Sequence, residues 1–169
     1  MSETREGDYL EIFDNGTKYF ETTYSNNKIN GQYKEWHRNT GYLYIHTVYS
    51  HGILNGPYRK WYGHGSLRIR TTYSYGLIDG EYSEWHYNGE KFLETVYQQG
   101  LRQGELKVWD KNGDLLSHEY CINSNGFVFN VHLKHNFLRI RSKLRFLVNN
   151  RKYNLPLIQE LKSLCIMYV

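Results

Sequence analysis

Gly31-Gln32-Tyr33-Lys34-Glu35-Trp36 returns 25 residues later as Gly56-Pro57-Tyr58-Arg59-Lys60-Trp61. It returns twice more, at steps of 24, as Gly80-Glu81-Tyr82-Ser83-Glu84-Trp85 and Gly104-Glu105-Leu106-Lys107-Val108-Trp109. Four copies in phase identify a tandem repeat, whose units stack because none can bury its own apolar face. A weaker copy begins at Gly7, with Tyr9 and Ile12 in the aromatic places. Another begins at Gly126, with Val128 and Val131, and is expected to supply a single strand.

Three further markers keep the same period. Asn15-Gly16, Thr40-Gly41, His64-Gly65, Asn88-Gly89 and Asn112-Gly113 follow the leading glycines. Asn-Gly between strand-like runs predicts a two-residue hairpin turn with both residues at positive φ. Tyr24, Tyr49, Tyr73, Tyr97 and Tyr120 close the second strands. Gly52, Gly76 and Gly100, with Asn27 in the first copy, precede the next leading glycine by four residues. Glycine and asparagine both tolerate the left-handed backbone a turn needs. Each unit therefore reads strand, Asn-Gly turn, strand, glycine turn.

Leu43, Ile45, Thr47 and Tyr49 alternate with polar residues, as do Leu67, Ile69, Thr71 and Tyr73, and Leu93, Thr95 and Tyr97. Arg68, Arg70 and Thr72 fall on the other parity. This predicts an antiparallel sheet with one apolar and one wetted face. Tyr and Trp of the leading hexapeptide have opposite parity, so a bulge or a two-sided role is expected there.

The combined pattern resembles the variant form of the MORN (membrane occupation and recognition nexus) repeat over residues 7–131. It departs from the standard signature, whose glycines are denser. Bacterial antitoxin-like proteins and proteins of large DNA viruses look similar. The resemblance implies an elongated, twisted single sheet used for protein association, with lipid binding as a lesser implication. The expected fold class is mainly β: about five tandem β-hairpins forming a MORN-like solenoid, closed by a C-terminal α-helical cap. The expected domains are residues 1–131 for the repeats and 132–169 for a basic helical tail.

In the tail, Leu133, Phe137, Ile140, Leu144, Leu147 and Val148 fall at helical spacing. A second helix is expected near Pro156, a residue suited to a first turn. The bland reading is a cap over the open end of the sheet. A sharper one starts from Leu155-Pro156-Leu157-Ile158 and Leu161-Lys162, which resemble the end of a suppressor-of-cytokine-signalling box. Leu133 and Phe137 resemble that box's upstream helix. Phe137 stands where the motif has cysteine, and Ile158 replaces its second proline. A comparable resemblance is to an F-box-like segment. Either implies a substrate receptor whose tail docks a cullin ubiquitin-ligase adaptor.

Charge divides the chain at the same place. Residues 131–169 hold eight of the 21 Lys and Arg but one of the 17 acids. Arg139, Arg141, Lys143 and Arg145 form a basic patch that would suit nucleic acid or acidic lipid. A solvated face explains it equally well. No stretch approaches 18 consecutive apolar residues, so no transmembrane helix is expected. The polar N-terminus lacks the form of a secretory signal, and Cys121 and Cys165 have no metal or redox spacing. An intracellular, cytoplasmic protein is expected.

No sequence signature of a catalytic triad, phosphate loop or dinucleotide fold is present. His37 and His86, like Glu35 and Glu84, are repeat-equivalents, so the period accounts for them without a metal or an acid–base pair. No catalytic residue, metal or cofactor is expected, and Glu35 and Glu84 are read as exposed. Two readings of the aromatic ladders stay open. One is structural stacking that holds the register. The other is a partner-binding surface of Tyr33, Trp36, Tyr58, Trp61, Tyr82, Trp85 and Trp109, residue types that dominate interface energies. The reading favoured by the whole is a non-enzymatic protein–protein interaction scaffold.

Overall fold

The structure is a computed structural model; it describes residues 4–124 and 127–132, with side chains as far as Tyr120. The tail residues named above lie outside it. The described chain is one open antiparallel sheet without helices. Its strands are β1 (Gly7–Ile12), β2 (Lys18–Ser25), β3 (Lys28–Trp36), β4 (Leu43–Ser50), β5 (Ile53–Leu54), β6 (Gly56–Trp61) and β7 (Leu67–Ser74). They continue as β8 (Leu77–Ile78), β9 (Gly80–Trp85), β10 (Lys91–Gln98), β11 (Leu101–Trp109), β12 (Leu115–Ser124) and β13 (Phe127–His132). Neighbours in sequence are neighbours in space throughout. β5 and β6 are one strand interrupted at Asn55, and β8 and β9 one strand interrupted at Asp79.

The two kinds of turn exchange the roles the sequence suggested. Asn26-Asn27, His51-Gly52, Tyr75-Gly76 and Gln99-Gly100 have both residues at positive φ, so these are the two-residue hairpin turns. At Asn15-Gly16, His64-Gly65, Asn88-Gly89 and Asn112-Gly113 only the glycine is left-handed. There the glycine N–H donates three residues back, as Gly16 does to the Phe13 carbonyl at 2.9 Å. This is a three-residue loop ending in a glycine bulge, the next commonest hairpin connection. In the second unit Gly41 donates four residues back, to His37. That loop holds one residue more, which is why one repeat is 25 residues long and the others 24.

In each unit the ladder is broken by a β-bulge just before the Trp position, between Glu35 and Trp36, Lys60 and Trp61, and Val108 and Trp109; the extra residue stands on the second strand, as Tyr44, Arg68 and Leu116. The tyrosine two places after the leading glycine sits before the bulge. Tyr33 lies opposite Thr22 on one side and Thr47 on the other; Tyr58 lies opposite Thr71, and Tyr82 opposite Thr95. Threonine and tyrosine thus alternate across the sheet. Thr22, Thr47, Thr71 and Thr95 are buried beneath half-buried rings. Within each unit the ring meets the second tyrosine edge-on: Tyr9 with Tyr24, Tyr33 with Tyr49, Tyr58 with Tyr73 and Tyr82 with Tyr97, at 5.5–5.8 Å. Edge-to-face rings at such separations add about 1 kcal/mol beyond their buried area.

The expectation of a plainly apolar face is corrected here. Among the described residues Leu106, which replaces the tyrosine of the fifth unit, is the only buried hydrophobic side chain. The described residues form a single layer, which leaves both faces in reach of water, so amphipathic rings over threonine do the work that aliphatic packing does between layers. Leu43 and Leu67 are also corrected: they lie beyond the bulge, opposite Trp36 and Trp61, and leave the tyrosine face. Arg68 is the extra residue of its bulge and reaches Glu84 at 3.6 Å. Tyr120 is displaced too. Gly7, Gly31, Gly56 and Gly80 pair with Tyr24, Tyr49, Tyr73 and Tyr97, but Gly104 pairs with Cys121.

The buried threonines give a clean test. Thr71 donates to the Glu81 carbonyl at 2.9 Å, whereas the Thr47 hydroxyl, 1% exposed as a residue, has no hydrogen-bond partner among the described residues. A buried polar group without a bond costs about 1–3 kcal/mol, and a made bond contributes about 1. Thr47→Val should therefore raise the thermal midpoint, and Thr71→Val should lower it. Equal shifts in calorimetry would refute the distinction.

The same rings make the sheet sensitive to alkali. Burial, then the Glu35 carboxylate 3.0 Å away, pushes the Tyr33 phenol well above the ordinary value. Burial and Glu84 do the same to Tyr82, and burial and Tyr73 push Tyr58 up to about 12. A raised folded-state value means the contribution to stability is whole below the ordinary phenol range near 10. It is lost as pH rises through the folded value. The tyrosinate absorbance of these rings should appear only above that range and together with loss of the β circular-dichroism signal. Phenyl-for-phenol replacement at Tyr33, Tyr58 and Tyr82 should delay the unfolding.

Candidate interaction site

Both readings of the odd Tyr/Trp parity hold: the bulge is there, and the two aromatics serve opposite faces. Glu35 shares the tyrosine face, where Tyr33 donates to it, and Glu84 accepts from Tyr82 at 3.2 Å. These two carboxylates are half-buried partners of phenols, not exposed as the sequence suggested. Trp36 follows Glu35 on the same strand and so projects from the other face. Cations of neighbouring strands cover the indoles there. Lys18 Nζ lies 4.9 Å from the Trp36 ring, Lys91 Nζ 5.7 Å from Trp109, and the Arg70 guanidinium 5.9 Å from Trp85. Such contacts contribute about 0.5–1 kcal/mol at exposed sites.

A polar row runs beside the tryptophans, directly across the strands. Its members pair in register as Glu21 with Lys34, Lys34 with His46, His46 with Arg59, Arg59 with Arg70 and Arg70 with Ser83. The row goes on through Glu94, Lys107 and His118. At its two ends the charges are settled. Glu21 lies 2.8 Å from Lys18 and 2.9 Å from Lys34, and these lysines hold its carboxyl below the usual range. Burial pushes Glu94 up, but Lys91 at 2.7 Å and Lys107 at 3.4 Å outweigh it and leave it lowered. In the middle the neighbours are all basic. Burial, then Lys34 and Arg59, depress the His46 imidazole, with Glu21 opposing.

Two shallow hollows open on this face. One is lined by Asp8, Leu10, Glu21, Gln32 and Lys34; the other by Arg70, Glu81, Glu94, Glu105, Lys107 and Tyr120. The sequence-derived set thus divides. Trp36, Trp61, Trp85 and Trp109 belong to this face, while Tyr33, Tyr58 and Tyr82 belong to the other and to the structural core. The cross-strand basic row was missed from sequence, because its members do not repeat one residue type from unit to unit and meet only through register.

His37 and His86 have a structural task, as the period suggested. Their Nε2 atoms reach the backbone carbonyls of Trp61 at 3.4 Å and Trp109 at 2.9 Å, in the following unit. Tyr62, at the equivalent place, donates to the Trp85 carbonyl at 2.8 Å. No three His, Cys, Asp or Glu side chains cluster as a metal site among the described residues. No helix among them is long and apolar enough to cross a membrane. The basic patch Arg139, Arg141, Lys143 and Arg145, and the adaptor-docking residues Leu133, Phe137, Leu155, Pro156 and Leu161, lie outside the described residues. Neither a family profile nor a curated protein matches the chain.

Proposed function

We propose that the protein is a non-enzymatic interaction scaffold, a MORN-like solenoid of hairpins that binds partner protein through its tryptophan face. The observation that carries this reading is the pairing of an indole row with a basic row on one open side of a single-layer sheet. Trp and Arg are the residues most often found at interface hot spots. Binding would draw on several units, so affinity is spread along the sheet. In this reading the tail is a cap on the last unit, and the protein works inside the cell without a cofactor.

The test uses the full chain as bait, with the Trp61→Ala/Trp85→Ala pair against Tyr42→Ala, an exposed tyrosine outside the rows. Truncating a hot-spot residue costs at least about 2 kcal/mol of binding, some thirtyfold in affinity. Partner recovery should fall accordingly with the tryptophan pair and stay level with Tyr42→Ala, with circular dichroism unchanged in both. Recovery that ignores the indoles, or substrate turnover that depends on a single residue, would sink the reading.

A further inference from the structure

We propose that the middle of the tryptophan face, the row Lys34–His46–Arg59–Arg70, docks a short acidic segment of a partner protein. This rests on the scaffold reading and gives its partner a chemistry. Four basic side chains occupy successive strands in direct register, about 4.8 Å apart. Like charges directly opposite one another destabilise a sheet. The same row shows that the fold can avoid this, because Glu21 and Glu94 sit between lysines at the equivalent places of the first and fourth units. In the middle no carboxylate of the row intervenes. Arg59 is exposed and has no ion pair among the described residues. Arg70 reaches Glu81 only at 3.8 Å. Lys34 is already held by Glu21 at 2.9 Å, so the unmatched like charges of the row are Arg59 and Arg70, directly opposite one another. An incoming carboxylate would relieve the repulsion between them, and Trp61, two residues from Arg59, offers an indole beside it.

The extent of the row selects a peptide over a polyanion. Three inter-strand steps span about 14 Å, room for roughly four extended residues. Beyond them stand Glu21 on one side and Glu81 and Glu94 on the other. A nucleic-acid strand carries its charge on past both ends and meets these carboxylates. A segment with two or three acids stops where they begin, and a base flanking its acids would meet Glu21 or Glu94 with favour. The groups facing His46 from the adjoining strands are Lys34, Arg59 and, more distantly, Glu21.

The experiment is fluorescence anisotropy of the full chain with a fluorescein-labelled peptide of four glutamates. An oligothymidylate of equal charge is run alongside. The peptide should bind in low salt and weaken as salt screens the contacts. Arg59→Glu/Arg70→Glu should weaken it at least tenfold, Arg59→Gln severalfold, and Lys111→Glu, in an exposed loop, not at all. Saturating peptide should also raise the titration midpoint of the His46 ring in NMR. Equal binding by the native protein and both arginine variants would overturn the proposal. So would tighter binding of the oligothymidylate with the same variant dependence, which would assign the row to nucleic acid. Should the peptide fail while partner recovery still depends on Trp61 and Trp85, the acidic chemistry is wrong and the scaffold stands. Recovery indifferent to the indoles would remove both.

Discussion

Tyr58→Ala is expected to cost about 2–3 kcal/mol of stability, a large part of the 5–15 kcal/mol typical of a domain. Removing a fully buried aromatic ring costs about 3–5 kcal/mol. Tyr58 is half-buried, which places it below that range. Its ring covers Thr71 and meets Tyr73 edge-on at 5.5 Å. Truncation exposes a threonine that no other layer of the described residues shields and removes the ring contact as well. The thermal midpoint should fall by roughly 8–12 °C, taking about 4 °C per kcal/mol. Tyr58→Phe should recover most of this, since among the described residues no hydrogen bond from the Tyr58 hydroxyl holds the ring, unlike Tyr33 and Tyr82 on their glutamates. A Tyr58→Ala midpoint within 2 °C of native, a shift that corresponds to roughly half a kcal/mol, would mean that the tyrosine row is not the core.

Gly56→Ala should be comparably damaging for a different reason. Gly56 has φ +138°, which L side chains rarely adopt, and a Cβ there would lie 3.0 Å from the Val48 Cβ. Strained backbone costs about 1–3 kcal/mol, and overpacking adds to it. A loss of about 3 kcal/mol is expected. Gly16→Ala, at φ +82° with open space around it, should lose only about 1 kcal/mol. The Val48→Gly/Gly56→Ala pair, measured against Val48→Gly alone, separates the two terms: it removes the Val48 Cβ that a Cβ at position 56 would meet, so it should recover the contact part and leave the backbone part. Denaturant midpoints that rank Gly16→Ala as the worse change would contradict the geometry.

Much of the fold was legible because the repeat is strict. Glycines at steps of 24 and 25, and aromatics in phase with them, give the number of units, the strand order and the antiparallel sense. Turn type was misassigned because Asn-Gly suits two hairpin geometries. What separates them is the number of loop residues, visible only once the strand ends are known. Tyr120 was misplaced for a related reason: one residue of slip moves a side chain to the other face, and only the Gly104–Cys121 pairing fixes the register.

By itself the sequence determined the hairpin units, their order and the positions where glycine must stand, since these follow from local backbone preference repeated in phase. It also placed the indoles and phenols on opposite parities. Only the tertiary structure decided that threonine and tyrosine form the core, that the bulge turns Leu43 and Leu67 off the tyrosine face, and that Lys34, His46, Arg59 and Arg70 meet in one row. Those residues are 11 to 13 positions apart in the chain. Strand pairing converts such separations into neighbours about 4.8 Å apart, and no local pattern along the chain records that conversion.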